Sequence, residues 1–261
     1  MGVLESFVLG IVEGITEFLP ISSTGHLILA SKLLRIPDSD FLKTFEIAIQ
    51  LGAILSVVAL YWKSFLELEI LKRLIVGFIP TGIIGIALYP FVKSYLLGNE
   101  TIVLWALLLG GVVLIIFERR YKRYSGLRNP NHAALSPAEI SYKQSLLIGL
   151  FQAVAIIPGV SRSAATILGG LLLGIRRTAI VEFSFLLAVP TMAAATGYDL
   201  FKNADSFSST DFFSLAIGFC TSFIVAILAI KFLLSFIRTH SFIAFGVYRI
   251  AVAILFFFLV L

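Results

Sequence analysis

The sequence predicts an all-α integral membrane protein with an inverted-topology repeat: six transmembrane helices plus two re-entrant helix hairpins that meet near the bilayer midplane. Hydrophobic residues make up 59% of the 261 residues, charged residues only 13%, and the mean hydropathy is +1.02. Two apolar segments are each broken by proline and hydroxyl residues, and these two segments resemble each other. Lys and Arg lie mainly in short loops between apolar stretches. This combination is typical of a multi-pass membrane protein and too apolar for a soluble domain.

The same composition argues against several other classes of protein. The first 31 residues contain no Lys or Arg and are interrupted by Glu5, Glu13 and Glu17, so no cleaved signal peptide is expected. A single cysteine, Cys220, rules out an intramolecular disulfide. The formal net charge is +5 and the pI about 9.4, but loop cations orient a membrane protein, so nucleic acid is not an expected partner.

Segment length predicts which parts of the chain cross the membrane. A helix needs about 20 residues to cross a hydrocarbon core of roughly 30 Å. Two segments, 3–34 and 144–174, each contain two apolar stretches too short to cross alone. We interpret them as re-entrant helix–turn–helix hairpins, because irregular backbone at this depth must be shielded by protein or line a cavity. Six other segments are close to the required length, at about 45–62, 74–92, 101–118, 178–198, 212–236 and 242–261.

The two hairpins form an internal repeat with an offset of 139 residues. Residues 10–30 read GIVEGITEFLPISSTGHLILA, and residues 149–169 read GLFQAVAIIPGVSRSAATILG. Glu13 is aligned with Gln152 in this comparison. Weaker similarity continues into the spans that follow, where Glu46 parallels Glu182 and Gly77 parallels Gly218.

The repeat divides the chain into two halves within a single membrane domain, 1–261. Residues 1–118 and 144–261 each contain one hairpin and three predicted spans, and residues 119–143 form a cytoplasmic linker. Because three is odd, the second half must enter the bilayer from the opposite side, which gives an inverted repeat. Both hairpin turns can then meet at a membrane-embedded site.

Loop charges predict the orientation, because cytoplasmic loops carry an excess of Lys and Arg. One side has thirteen of these residues and the other has five, so the first side is cytoplasmic and both termini face outward. The first hairpin then enters from the outer face, so the site is expected to open to the extracytoplasmic side. The second hairpin enters from the cytoplasm, and access from that leaflet is the alternative. Residues 136–139, Ser-Pro-Ala-Glu, resemble a capping box that opens the second hairpin. The thirteen are Lys63, Lys72, Arg73, Arg119, Arg120, Lys122, Arg123, Arg128, Lys143, Arg176, Arg177, Lys231 and Arg238, and the five are Lys32, Arg35, Lys43, Lys93 and Lys202.

Two acidic residues in the first hairpin have the spacing of a cation site. Glu13 and Glu17 are four residues apart, so on a helix they share one face. Two carboxylates can hold a hard divalent cation, Mg²⁺ or alternatively Ca²⁺, whose remaining oxygen ligands come from water and substrate phosphate. The alternative is an amphipathic helix at the membrane interface with both acids in water.

Each hairpin turn is followed by a half-helix whose N-terminus can bind an anion. Ser22, Ser23 and Thr24 begin the first, and Ser161 and Arg162 begin the second. A guanidinium group binds phosphate in bidentate fashion, so the two turns together suit a phosphate. The alternatives are that Ser22 and Ser161 only cap their helices and that Arg162 extends its charge to the interface.

His26 and Arg249 complete the set of candidate residues. His26 lies close in sequence to the hydroxyls and can act as acid, base or nucleophile, although a lone buried histidine is often structural. Arg249 lies in the apolar sequence of the last span and needs a partner there, either a phosphate or one of the acids Glu46 and Glu182.

The two hairpin motifs resemble a known family. EGITEFLPISSTGH at 13–26 and PGVSRSAAT at 158–166 are similar to the two signature segments of the undecaprenyl-diphosphate phosphatases, the bacitracin-resistance proteins of bacteria. The resemblance extends over the whole chain and includes IQLG at 49–52 and the arginine of the last span. It implies hydrolysis of undecaprenyl diphosphate to undecaprenyl phosphate and inorganic phosphate in the bacterial plasma (inner) membrane. This reaction recycles the lipid carrier for peptidoglycan synthesis and confers bacitracin resistance.

The resemblance also implies a role for each candidate residue. It places Glu13 and Glu17 in the acidic motif, with Glu17, Ser23 and His26 catalytic. It places Arg162, Ser161 and Thr166 in the diphosphate-binding segment, and Arg249 matches the family's late arginine. Ala164 departs from the glycine that many members have.

Two mechanisms and a rival function stay open from the sequence. Ser23 activated by His26 can attack the phosphate, or a water held by His26 and Glu17 can do so. The rival is a polyprenyl-phosphate flippase or another alternating-access transporter, because such carriers are also built from inverted repeats with broken helices. Expected partners are isoprenoid diphosphates and membrane lipid, and the small residues of the spans are compatible with a homodimer.

Overall fold

A computed structural model describes residues 1–96, 99–125, 136–202 and 212–260, and these residues form an all-α structure without strands. The prediction of an all-α integral membrane protein is therefore confirmed. Ten residues of the predicted linker, 126–135, and the last residue of the predicted final span lie outside the described residues. The inverted topology and the position of the site near the midplane stay predictions.

The helices follow the predicted order, with four of them forming the two hairpins. The first hairpin consists of α1 (Val3–Thr16) and α2 (Ser23–Leu33), and the second of α6 (Tyr142–Ala153) and α7 (Arg162–Leu172). Short 3₁₀ or π turns lie between some of these elements. The long helices are α3 (Asp40–Tyr61), α4 (Leu68–Phe91), α5 (Glu100–Ser125), α8 (Arg177–Lys202), α9 (Phe212–Thr239) and α10 (Ile243–Val260).

Five of these long helices are long and apolar enough to cross a membrane within the described residues: α3, α4, α5, α8 and α9. The apolar part of α10, Ile243–Phe258, is shorter than such a span, so the predicted count of six is reduced to five by this measure. At 1.5 Å per residue, helices of 11 to 14 residues such as α1 and α2 extend only about 17–21 Å. The hairpin helices are thus too short to span the bilayer alone, as predicted.

The two hairpins repeat the same unusual backbone at equivalent positions. Ser22 and Ser161, which precede α2 and α7, both have positive φ, 74° and 78°. Arg35 and Gly174, which follow the same two helices, also have positive φ, 55° and 83°. Non-glycine residues seldom adopt this conformation, so the repeat is preserved in local conformation as well as in sequence.

Close helix contacts at glycines hold the first helix of each hairpin inside the protein. A Cβ atom on Gly10 of α1 would lie 2.7 Å from the carbonyl oxygen of Gly218 in α9. A Cβ atom on Gly149 of α6 would overlap the carbonyl oxygen of Gly77 in α4. The repeat relates these two contacts to each other, because Gly10 corresponds to Gly149 and Gly218 corresponds to Gly77. The small residues therefore let the hairpins pack against long helices at backbone contact.

The prediction of a capping box at residues 136–139 is wrong, and the capping box lies five residues later. Pro137–Glu139 form a single 3₁₀ turn without a side-chain cap. No helix continues from this turn, because Ile140 is extended and its carbonyl accepts a 2.5 Å hydrogen bond from Arg73 Nε. Instead, the backbone N–H of Gln144 donates to Ser141 Oγ (3.2 Å), and the backbone N–H of Ser141 donates to Gln144 Oε1 (2.9 Å).

Helix α5 extends beyond the predicted end of its span at residue 118 and includes the start of the predicted linker. Glu118 is fully buried there and pairs with Arg177 at the start of α8, with Nη1–Oε1 at 2.7 Å. Its carboxylate also accepts the backbone N–H of Phe242 at 3.1 Å. Basic residues that the sequence placed in the linker, Arg119, Arg120, Lys122 and Arg123, are thus part of a helix.

Replacing Gly149 tests the backbone contact between α6 and α4. We expect Gly149→Ala to lower stability by about 1–3 kcal/mol, because the methyl group overlaps the Gly77 carbonyl. Gly85→Ala is the matched control, since a Cβ there meets no atom within 4 Å, and it should stabilise the helix by about 0.5–1 kcal/mol. Thermal unfolding of the two variants in detergent measures the difference, and equal midpoints would contradict the packing.

Candidate active site

The two hairpin turns contact each other directly. Ser163 Oγ in the first turn of α7 donates a 2.9 Å hydrogen bond to the carbonyl of Leu19 in the first hairpin's turn. Arg249 of α10 donates to carbonyls of both turns, at Pro20 and Val160. The structure therefore brings together two motifs that are about 140 residues apart in the sequence.

Glu17 lies at the centre of this contact. Its Oε2 accepts a 2.5 Å hydrogen bond from Ser23 Oγ, and its Oε1 pairs with Arg162 Nη2 at 3.1 Å. The side chains of Glu17 and Arg162 are only 4% and 11% exposed. An ion pair so far from water is held in a fixed geometry, because neither partner can exchange its contact for a solvent contact at low cost. One carboxylate thus joins the predicted hydroxyl and the predicted phosphate-binding arginine.

Glu13 lies one helical turn before Glu17, as predicted. The backbone N–H of Glu17 donates to the carbonyl of Glu13 at 2.9 Å, so the helical geometry continues through both residues. Glu13 is fully buried, and neither of its carboxylate oxygens has a hydrogen-bond partner among the described residues. The burial of Glu13 excludes the alternative of an interfacial helix with both acids in water. A buried acidic group without partners is also costly, which favours a role for it in binding.

His26 is bound on both sides of its ring. Nδ1 lies 2.7 Å from the carbonyl of Ser22, and Nε2 lies 2.9 Å from the hydroxyl of Tyr248. A carbonyl only accepts, so Nδ1 carries the proton and the neutral ring accepts the Tyr248 O–H at Nε2. The two rings also stack, with centroids 5.5 Å apart and planes 6° apart.

The serines that precede α2 and α7 cap these helices, as the structural alternative predicted. Ser22 Oγ accepts from the backbone N–H of Gly25 at 3.4 Å, and Ser161 Oγ accepts from Ala164 at 3.2 Å. Positive φ at both serines stores backbone strain, a feature that clusters at functional sites. Thr24, in the first turn of α2, is half-buried.

Thr166 and Arg162 connect the second hairpin to α8. Thr166 Oγ1 lies 2.5 Å from Ser184 Oγ and donates within its own helix, and Arg162 Nη1 donates to the Ser184 carbonyl at 2.8 Å. In this structure Thr166 therefore faces α8. Arg162 Nε is buried and lacks an acceptor among the described residues. A free N–H at this point offers a donor for an anionic oxygen.

Arg249 contacts neither of the acids considered as partners, Glu46 and Glu182. Its guanidinium group is fully buried and donates to backbone carbonyls only. Glu46 instead accepts a 3.3 Å hydrogen bond from Ser31. The direct phosphate role of Arg249 stays a prediction.

Glu13 and Glu17 fit a divalent cation that takes only two of its ligands from protein side chains. Within the described ranges, no three His, Cys, Asp or Glu side chains cluster closely enough to hold a metal. Glu13 supplies two free buried oxygens and Glu17 lies one turn away. Two carboxylates suit an ion such as Mg²⁺, which takes its other ligands from water and substrate phosphate.

Sequence reasoning missed three residues at this site: Ser163, Ser184 and Tyr248. Ser163 could have been found, because it lies inside the second motif and aligns with Thr24 of the first. Ser184 and Tyr248 gave no such signal, since they lie on long apolar helices outside both motifs. Tyr248 is 222 residues from His26, and only the packing of α10 brings the two together.

These features define a multi-pass membrane protein with a buried site made of a carboxylate pair, a serine, a histidine and an arginine. Residues 6–255 match the family described as bacitracin resistance protein BacA, and the chain belongs to that family. The resemblance seen in the two motifs is thereby confirmed.

Relatives named undecaprenyl-diphosphatase match the chain over almost its whole length. The chain is 52% identical over 257 residues to such a protein of Sulfurihydrogenibium sp., which covers 98% of this chain and 99% of that protein. It is 49% identical over 253 residues to one of Aquifex aeolicus, with 97% and 96% covered. It is 50% identical over 262 residues to one of Persephonella marina, with both chains fully covered at 100%.

The hydrogen bonds of His26 predict which ring nitrogen carries the proton. Nitrogen-15 NMR of histidine-labelled protein should show a protonated Nδ1 and an accepting Nε2. Tyr248→Phe should shift the Nε2 resonance, because it removes the donor but keeps the stacked ring, and leave Nδ1 unchanged. Tyr142→Phe, whose hydroxyl bonds to Glu69, is the control and should change neither resonance. A neutral ring protonated at Nε2 would contradict the assignment.

Proposed function

We propose that this chain is an undecaprenyl-diphosphatase, which removes the terminal phosphate of undecaprenyl diphosphate. The observation that carries the proposal is Glu17, which binds Ser23 of its own hairpin and Arg162 of the other at the same time. A hydroxyl, a base and a guanidinium group in contact are the groups that phosphoryl transfer to a serine requires. The names of the relatives support this substrate.

The attack on phosphorus begins at Ser23. Its Oγ–H passes the proton to Glu17 while Oγ forms a bond to the terminal phosphorus. The bond from that phosphorus to the bridging oxygen breaks, and undecaprenyl phosphate leaves with the bridging oxygen. Water then attacks the phosphorus of the phosphoserine, and the bond from phosphorus to Ser23 Oγ breaks. Glu17 returns its proton to Oγ, while both protons of the water leave with the inorganic phosphate, so the carboxylate and the hydroxyl are restored. Glu17 is the base in this scheme because Ser23 donates to it, whereas both nitrogens of His26 have other partners.

Charge stabilisation of the diphosphate comes from the second hairpin and from the cation. Arg162 has a free buried Nε–H, and the backbone N–H groups of α7 begin at the same point. Preorganised donors in a site without water are the largest contribution to such reactions. A divalent cation held by Glu13 and Glu17 would neutralise charge on the diphosphate oxygens. Its identity as Mg²⁺ is part of this proposal.

His26 and Tyr248 act on the water or on the departing phosphate. The lone pair of Nε2 is held by a phenol that is 42% exposed, so this pair connects the buried site with its surroundings. A histidine whose tautomer is fixed by a backbone carbonyl is oriented for one proton transfer at Nε2.

The family and the loop charges support a proposal for the biological setting. We place the protein in the bacterial plasma membrane with the site open to the extracytoplasmic side, where it recycles the lipid carrier for peptidoglycan synthesis. Removal of undecaprenyl diphosphate deprives bacitracin of its target, which accounts for resistance. The rival function, a polyprenyl-phosphate flippase, has the same kind of binding site but needs no serine–carboxylate contact.

Phosphate release by purified protein separates hydrolysis from transport. In detergent, where no gradient exists, wild type should release inorganic phosphate from undecaprenyl or farnesyl diphosphate. Ser23→Ala and Glu17→Gln should lower kcat by about 10²–10⁴-fold, because they remove the nucleophile and the base, and Arg162→Ala by about 10²–10³-fold. Ser56→Ala is the matched control, since this buried serine bonds only within α3.

Either of two results would change the conclusion. A folded wild-type protein that binds the diphosphate without releasing phosphate would favour the transporter. Full activity of Ser23→Ala would exclude the phosphoserine and leave direct attack by water. Peptide mass spectrometry of rapidly quenched enzyme should find phosphate on residue 23.

Metal removal tests the acidic pair. EDTA should abolish phosphate release and added Mg²⁺ should restore it. Glu13→Gln should raise the Mg²⁺ concentration needed for half-maximal activity by about tenfold or more, because one of two protein carboxylates is lost while Ser23 and Glu17 remain. An unchanged Mg²⁺ requirement in this variant would remove Glu13 from the cation site.

A further inference from the structure

Arg249 is the largest fully buried side chain of the described residues, and every N–H group of its guanidinium donates to a backbone carbonyl. Nε donates to Leu107 at 3.3 Å. Nη1 donates to Pro20 at 3.3 Å and to Val160 at 3.0 Å. Nη2 donates to Ala106 and Gly159, both at 2.9 Å. A guanidinium group has five such donors, so none is left for a substrate oxygen.

The five carbonyls belong to three separate parts of the chain. Pro20 lies in the turn of the first hairpin, and Gly159 and Val160 lie in the turn of the second. Ala106 and Leu107 lie in the first third of α5. One side chain of α10 thus connects both turns to a long helix. Pro20 is halfway between Glu17 and Ser23 in the sequence, and Val160 is two residues before Arg162.

Small residues create the space for this guanidinium group. A Cβ atom on Gly110 would lie 2.6 Å from Arg249 Cζ and overlap its Nη2. Gly159 has φ of +93°, and a Cβ there would lie 2.8 Å from the carbonyl oxygen of Val103. A larger residue at Gly110 would displace the guanidinium, and any other residue at Gly159 would strain the turn.

The energetic reason for this arrangement is the broken backbone. Each turn leaves carbonyls without helical partners inside the protein, and an unsatisfied carbonyl in an apolar environment is energetically costly. A buried cation without a partner is also costly. Five carbonyl dipoles around one guanidinium group satisfy both requirements, and they fix the distance between the two turns.

We propose that Arg249 is a positioning residue that holds the two hairpin turns at the separation where Arg162 reaches Glu17, and that it does not bind the diphosphate. The catalytic part of this inference rests on the proposed phosphatase function. The structural part does not, because the separation of the turns can be measured without substrate.

Cross-linking measures that separation. In a Cys220→Ser background, cysteines at Leu19 and Ser163, which are in contact across the two turns, should be joined efficiently by a short thiol cross-linker. Arg249→Lys keeps the charge but cannot serve five carbonyls, and Gly110→Ala keeps the arginine but displaces its guanidinium. Both should lower the cross-linking yield severalfold. Arg238→Lys, at an exposed site, and Gly85→Ala are the controls.

Kinetics of the same two substitutions in the protein that retains Leu19 and Ser163 distinguish positioning from phosphate binding. Both should lower kcat by about 10²-fold, as a small misplacement of reacting groups does, with KM within about twofold of wild type.

Normal cross-linking with a raised KM and nearly unchanged kcat in Arg249→Lys would overturn the proposal. If Arg249→Lys does not fold, Gly110→Ala decides by the same measurements. Unfolding of both, with both controls folded, would show that Arg249 holds α5 and α10 together, and would overturn it as well. An inactive wild type with normal cross-linking refutes only the phosphatase function.

Discussion

The satisfaction of polar groups at two broken helices is the constraint on which the rest of the structure depends. In hydrocarbon, a turn inside the membrane leaves N–H and carbonyl groups that water cannot reach. Here Ser22 and Ser161 cap the helices that follow the turns, while Ser163 and Arg249 bind the turn carbonyls. The capping serine of one hairpin has an equivalent in the other, and the donors Ser163 and Arg249 connect the two hairpins. The site forms because polar groups of the two turns are satisfied by contacts between the hairpins.

Two buried ion pairs show how similar contacts serve different ends. Glu118 and Arg177 join α5 to α8, and the same carboxylate accepts the backbone N–H of Phe242, the residue before α10, so its oxygens are used by the fold. Glu17 and Arg162 are equally buried, but the carboxylate also holds a serine hydroxyl and the arginine keeps a free Nε–H. Arg177 Nη1 likewise lacks a hydrogen-bond partner among the described residues, so the two pairs differ in what their carboxylates hold. Glu17 holds a reactive hydroxyl, whereas Glu118 holds a backbone N–H group.

Much of the fold and part of the site could be predicted from the sequence, because hydrophobic length and the repeat are local patterns. The hairpins, the shared face of Glu13 and Glu17 and the capping by Ser22 are properties of short segments. The partners of Ser23, His26 and Arg249 are properties of packing between distant helices. No local pattern indicates that Tyr248 reaches His26 or that Arg249 binds carbonyls rather than an acid.

The difference between Glu13 and Gln152 explains why a repeated frame contains one acidic site. Gln152 Nε2 donates to the hydroxyls of Thr81 and Thr191 at 2.9 and 3.0 Å, and both hydroxyls donate their own protons to helix carbonyls. A carboxylate at this position would meet two oxygens with no proton to offer, which is repulsive in a buried environment. Neither carboxylate oxygen of Glu13 has a hydrogen-bond partner among the described residues. The side chain of Gln152 is therefore bound through Nε2 to hydroxyls of α4 and α8, while Glu13 offers a carboxylate beside Glu17. The asymmetry of the chemistry arises from the neighbours of one repeated position.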